Sequence, residues 1–129
     1  MKKFLALLAA LVLCTCTTIP VPAGDIPQPG EPMPDMIGYC ESHHMNYVER
    51  PFPGYVMRKY LYNNVQKVIV TFQVCQGQKS KLPFGVLVFS PDGQHGILFL
   101  DNAPCDGIVD EVIHDPIGRS IQSDMPDCV

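Results

Sequence analysis

Apolar and polar residues alternate most clearly in the middle of the chain. Within residues 65–76 the alternate apolar positions are Val68, Val70, Phe72 and Val74. Because a period of two places successive side chains on opposite faces, this segment is predicted to be a half-buried β-strand. Residues 84–89 and 97–100 are apolar on both faces, which is typical of strands that are covered on both sides.

A turn sequence separates these two apolar segments. Residues 90–93 read Ser-Pro-Asp-Gly. Proline presets φ at the second position of a turn, aspartate suits the third, and glycine tolerates a positive φ at the fourth. We therefore predict a β-hairpin with a type I turn and a bulge at Gly93.

The remaining segments are less regular. Residues 55–62 fit a strand or a short helix, and their β-branched and aromatic content favours the strand. Residues 108–114 fit a further strand or one and a half helical turns. Residues 35–53 are predicted to be irregular, and this segment ends at Pro51 and Pro53. The pattern predicts a mainly β protein, a small antiparallel meander of four or five strands. A helix covering one face would make the class α+β.

The amino terminus has the pattern of an export signal. Lys2 and Lys3 precede residues 4–14, eleven positions without a polar side chain. A membrane-spanning helix needs about 20 apolar residues, so this run has the length of a signal-peptide core. We expect an exported protein of the periplasm or cell surface.

Two processing routes fit the sequence after this core. In the first, residues 1–16 form a lipoprotein signal and Cys16 is lipidated, although Thr15 stands where Gly, Ala or Ser is usual. In the second, small residues at Val21 and Ala23 direct cleavage between residues 23 and 24. The mature protein is then a membrane-anchored lipoprotein in the first case and a soluble protein in the second.

A proline-rich segment follows the signal. Residues 17–34 contain six prolines and two glycines, a composition that neither a helix nor a central strand accommodates. Residues 17–37 are accordingly predicted to be an extended linker, and residues 38–129 a small β-rich domain.

The charge becomes more acidic once the signal is removed. The full chain carries a formal net charge of -4, and without Lys2 and Lys3 seven basic residues face 13 acidic ones, which gives −6. An acidic protein does not bind nucleic acid by neutralising phosphates, so no nucleic-acid partner is expected. Membrane contact is expected only through a lipid anchor.

Four cysteines belong to the predicted domain, namely Cys40, Cys75, Cys105 and Cys128. An even number in a small exported domain predicts two disulfides. Strand topology makes Cys75–Cys105 possible, which would leave Cys40 for Cys128, and Cys105–Cys128 is the more local alternative. No pair of cysteines has the spacing of a structural zinc site.

Two groups of residues are candidate metal ligands. The acidic group could supply the hard oxygen ligands that calcium requires, and it consists of Asp101, Asp106, Asp110 and Glu111. Its spacing excludes an EF-hand, because Ile113 stands where the bidentate glutamate would be. His43 and His44 are candidate copper or zinc ligands, although neighbouring side chains of an extended segment point apart.

Motifs for catalysis are absent from the sequence. It contains no Gly-x-Ser-x-Gly elbow, no His-Glu-x-x-His pair and no glycine-rich phosphate loop. We therefore expect a non-enzymatic protein without a cofactor, a binding or structural domain of the cell envelope with an unidentified protein partner. The alternatives are a calcium- or copper-binding envelope protein and a small secreted hydrolase or inhibitor.

Overall fold

The computed structural model describes residues 26–103 and 106–115. These residues form one short helix, α1 (Met36–Ser42), and seven strands. The strands are β1 (Asn46–Phe52), β2 (Tyr55–Tyr62), β3 (Val65–Cys75), β4 (Gln78–Lys79), β5 (Gly85–Phe89), β6 (Gly96–Leu100) and β7 (Glu111–His114). No helix in the described part is long and apolar enough to cross a membrane.

The strands form an antiparallel sheet that follows the order of the chain. Its order is β1-β2-β3-β5-β6-β7, and the two-residue strand β4 pairs with the end of β3. The prediction of a mainly β antiparallel meander is therefore confirmed. The predicted count of four or five strands is too low. β4 is very short, and Pro51 disfavours a strand at the position of β1.

The two faces of the sheet carry two apolar clusters. On the first face, Tyr60, Val70 and Phe99 belong to a cluster that also includes Met36 and Cys40 of α1. On the second face, Ile69, Leu87 and Leu98 occupy one continuous row of paired positions. β3, β5 and β6 are therefore apolar on both faces, as buried central strands require.

Asp35 caps the amino terminus of α1 by binding Gly38. The Asp35 side chain accepts a hydrogen bond from the Gly38 amide at 3.0 Å, which satisfies one of the free donors of the first turn. A Cβ atom at position 38 would come too close to Asp35 Oδ2, so a larger residue there would require this flexible carboxylate to shift. Met36 and Cys40, one turn apart, then turn into the core. The sequence analysis predicted irregular structure here and missed the helix.

Residues 26–35, which the sequence places in the linker, run along the first face. The Gly30 amide donates to the Val109 carbonyl at 2.7 Å and the Met33 amide to the Gly107 carbonyl at 2.8 Å. Pro32 and Ile108 form an isolated bridge between these bonds. This stretch is thereby tied to the segment that leads into β7.

The hairpin of β5 and β6 has the predicted turn. The Gly93 amide donates to the Ser90 carbonyl at 2.9 Å, and Gly93 has a φ of 72°, a value that favours glycine. Residues 55–62 and 111–114 are both strands, so the ambiguity between helix and strand is resolved for each of them.

Candidate functional site

Arg58 lies at the centre of an aromatic and charged cluster on the first face of β1 and β2. Its Nε and Nη2 atoms donate to Glu49 Oε1 at 3.1 and 3.0 Å, and Nη1 donates to Tyr60 Oη at 3.0 Å. The guanidinium carbon lies 4.3 Å from the ring centre of Tyr47. Lys79 adds a second cation, 3.4 Å from Glu49 Oε1 and 4.6 Å from the ring centre of Phe72.

These cations hold Glu49 in its charged form. Partial burial raises the pKa of Glu49, but the hydrogen bonds and charges of Arg58 and Lys79 outweigh it and lower the pKa below its usual value. Glu49 belongs to β1, while Arg58 belongs to β2 and Lys79 to β4. The cluster therefore ties the edge strand to the sheet.

The strand β1 is exposed along its whole length. All seven of its residues are exposed, and Tyr47 and Val48 each keep 50% of their accessible surface. Phe52 is 39% exposed and stacks on Tyr55 with ring centres 4.9 Å apart. A long edge strand with exposed apolar side chains offers both backbone hydrogen bonds and side-chain contacts to another chain. Sequence reasoning missed this surface because Pro51 and Pro53 favoured irregular structure.

Basic and acidic side chains are concentrated at opposite sides of the sheet. Residues 46–81, which contain β1 to β4, carry six Lys and Arg side chains and a single acidic one, Glu49. Residues 82–115, which contain β5 to β7, carry six acidic side chains and no Lys or Arg. Because the sheet follows chain order, its β1 side is basic and its β7 side is acidic. The net charge of the chain does not show that basic and acidic residues are separated in this way.

The predicted acidic group separates into two parts. Asp101 is 1% exposed, and its two carboxylate oxygens accept from the Ala103 and Gly107 amides at 3.1 and 3.0 Å. Burial is the main cause that raises the pKa of Asp101 to about 6, and a hydrogen bond and the charge of Asp106 add to it. These two carboxyl groups thus bind the Ala103, Gly107 and Ile108 amides before β7.

The other two acidic side chains bind Asn102. Asp110 accepts from the Asn102 amide at 2.7 Å, and Glu111 accepts from the Asn102 side chain at 3.4 Å. Within residues 26–103 and 106–115, no three His, Cys, Asp or Glu side chains converge on a point that could hold a metal ion. The four predicted calcium ligands are therefore not brought together as one set.

His43 and His44 lie at the carboxyl end of α1. The ring of His43 stacks on Tyr39 at 4.0 Å, and its Nδ1 lies 2.8 Å from the Tyr39 carbonyl oxygen. His44 has a φ of 55° and is exposed in the turn that leads to β1. The two histidines thus end the helix, and among residues 26–103 and 106–115 the structure does not bring them together with other candidate ligands.

A histidine–carboxylate pair lies at the opposite edge of the sheet. His95 Nδ1 is 2.6 Å from Asp115 Oδ1, and the hydrogen bond with Asp115 raises the pKa of His95. Ser90 is nearby, but its hydroxyl donates to Asp92 at 2.5 Å and accepts from the His95 backbone amide. A serine nucleophile requires its hydroxyl to face the imidazole ring, so this arrangement differs from a hydrolase triad.

An apolar cavity of about 280 Å³ lies between the residues that precede α1 and the start of β5. Met33, Met36, Val70 and Leu82 line it, and Lys81 adds a charged group. This volume is just below the lower end of the range for small-molecule pockets, about 300 Å³.

The two described cysteines differ from each other. Cys40 is a free thiol without exposed surface, and burial together with the charge of Glu41 raises its pKa to about 11. The expectation that Cys40 pairs with another cysteine is therefore not met in the structure, where its side chain packs in the apolar core. Cys75 is not a free thiol. Cys16, Cys105 and Cys128 lie outside the described residues.

Comparisons with known proteins identify no relative: no family model, no curated protein and no solved structure matches this chain.

Proposed function

We propose that this protein is an exported cell-envelope domain that acts by non-catalytic binding, and that β1 is its binding surface. The observation that carries the proposal is the exposure of β1, with Tyr47, Val48 and Phe52 uncovered at the edge of the sheet. Strand addition at such an edge uses the free backbone groups for affinity and the side chains on both faces for specificity. The Arg58 cluster supports this role because it holds β1 in place when a partner binds.

Export rests on the amino-terminal sequence. The basic start at Lys2 and Lys3, the apolar residues 4–14 and the prolines that follow together form a signal and a tether. The intact mass of the protein from membrane and soluble fractions tests this. A diacylglyceryl mass on a chain that starts at Cys16 supports the lipoprotein, and a chain that starts at Gly24 supports the soluble form. An unprocessed chain in the cytoplasm would contradict export.

We propose one disulfide, between Cys75 and either Cys105 or Cys128. Two observations support it, namely that Cys75 is not free and that Cys40 is a buried free thiol. Peptide mapping without reductant should recover Cys75 in a cross-linked peptide and Cys40 in a linear one. Recovery of Cys40 in a cross-linked peptide would overturn this assignment.

The binding role of β1 can be tested inside cells. A photoreactive amino acid at Val48 should give a covalent adduct on irradiation, because this side chain is exposed beside the free strand edge. The matched control is the same amino acid at Gln94, which is exposed in the turn between β5 and β6. Adduct formation at position 48 but not at 94 supports the proposal, and no adduct at position 48 contradicts it.

A further inference from the structure

We propose that this protein assembles head to tail, with the β1 edge of one copy against the β7 edge of the next. The inference rests on the proposed binding role of β1 and names a second copy of the chain as the partner. Charge complementarity carries it, since the β1 side of the sheet is basic and the β7 side is acidic. Opposite charges would thus meet at each junction.

The strand directions allow the sheet to continue through such a junction. Every neighbouring pair in the order β1-β2-β3-β5-β6-β7 is antiparallel, so β1 and β7 run in opposite directions. A second copy shifted sideways by one sheet width would place its β1 antiparallel to β7 of the first. The same face of each sheet would also stay on the same side.

The residue rows of the sheet fix the register of this junction. One row of paired residues begins at Arg50 and ends at Glu111, and it passes through Met57, Thr71, Gly85 and Leu100. Sideways translation therefore places Glu111 of one copy opposite Arg50 of the next. Opposite charges at directly paired positions stabilise an antiparallel junction.

Two further rows give matched contacts in the same register. The row that begins at Val48 ends at Ile113, so two apolar side chains would meet. The row that begins at Tyr47 ends at His114, which would pair two aromatic rings on the other face. Three of the four rows at the junction thus give matched contacts, and the fourth, which begins at Glu49, ends at Val112.

Symmetric pairing of two β1 strands is the competing arrangement. Two β1 strands can also pair antiparallel about a twofold axis perpendicular to the sheet. The side chains of paired residues then lie on the same face only if one β1 residue lies directly opposite the same residue of the other copy. Registers centred on Glu49 or Arg50 place like charges opposite each other, whereas a register centred on Val48 places two apolar side chains together. The head-to-tail junction pairs Arg50 with Glu111 instead, and each added copy again presents one β1 and one β7 edge, so assembly remains open.

Sedimentation velocity of the exported protein tests the inference. A four-residue junction is small, so assembly is expected to be weak and to need concentrations up to about 1 mM and low salt. The sedimentation coefficient should rise with protein concentration and fall back when salt is added. A coefficient that stays at the monomer value throughout would overturn the inference.

Charge reversal distinguishes this junction from other kinds of association. Arg50→Glu and Glu111→Arg should each abolish the concentration dependence, because like charges then meet. An equimolar mixture of the two variants should restore it, because every junction again pairs opposite charges. Lys81→Glu and Glu41→Arg are matched controls of equal charge change at exposed positions outside β1 and β7, and they should assemble like the unmodified protein.

The outcomes separate this inference from the proposed function. Assembly that survives Arg50→Glu, or a mixture that fails to recover, overturns the head-to-tail junction. The photoreactive adduct at position 48 then decides the broader proposal. A mass of two chains supports self-assembly, an adduct with a different protein overturns it while leaving β1 as a binding surface, and no adduct contradicts both.

Discussion

Asp101 is a buried carboxyl group directly after β6. The Ala103 and Gly107 amides donate to it, while burial and Asp106 raise its pKa to about 6. Because this pKa lies above the usual 3.8, the group favours the folded state in its protonated form. Its contribution to stability is complete below pH 3.8 and is lost as the pH rises through about 6.

Removal of the neighbouring carboxylate should lower the pKa of Asp101. In Asp106→Ala both the hydrogen bond and the negative charge of Asp106 disappear, so the pKa of Asp101 should fall below about 6 while burial keeps it above 3.8. Titration followed by carboxyl carbon chemical shifts measures it. An unchanged pKa would show that Asp106 has no part in the shift.

Cys40 should be chemically inert in the folded protein. Its side chain has no exposed surface, and its pKa of about 11 leaves almost no thiolate at neutral pH. A thiol reagent should label it only after denaturant has unfolded the chain. Mass spectrometry of the labelled peptide checks this, and rapid labelling under native conditions would contradict the structure at this position.

At the level of elements, the core of the sheet should dominate stability. Phe99 of β6 is fully buried between β5 and β7, whereas Val65 at the start of β3 is 47% exposed. Phe99→Ala should lower the free energy of unfolding by about 3 to 5 kcal/mol because of the cavity it leaves. The control Val65→Ala should change it by about 0.5 kcal/mol or less. Urea denaturation measures both.

The elements also show which parts of the fold the sequence encodes locally. The β5–β6 hairpin could be predicted because its turn residues and apolar segments agree. β1 could not, because its partner residues on β2 stabilise a strand that Pro51 and Pro53 disfavour. For α1, the Asp35 cap was present in the sequence, but a helix of seven residues depends on its contact with the sheet more than on its own propensity.

The candidate site was also only partly predictable from the sequence. The acidic and histidine residues could be identified in the sequence, but the fold determines which of them lie close together. Asp110 and Glu111, for example, both accept hydrogen bonds from Asn102. The separation of charge could have been read from the sequence once chain order was known to equal sheet order. Total charge alone could not reveal it.

For the whole molecule, the proposed disulfide should contribute strongly to stability. A bond from Cys75 to Cys105 or Cys128 would close a loop worth about 3.5 to 4 kcal/mol in the chain-entropy description. Reduction should therefore lower the melting temperature clearly. The Cys75→Ala variant should melt at the lower temperature with or without reductant. An unchanged melting temperature for the unmodified protein under reductant would contradict the bond.

The simple strand order also determines how the protein can fold while it is being synthesised. Each strand along the main sheet pairs with one that has already emerged, since β2 pairs with β1, β3 with β2, β5 with β3, β6 with β5 and β7 with β6. Contacts of this kind have low sequence separation, which favours rapid folding. The sheet can therefore grow vectorially, one strand at a time from its amino-terminal edge, and no strand has to wait for a distant segment of the chain.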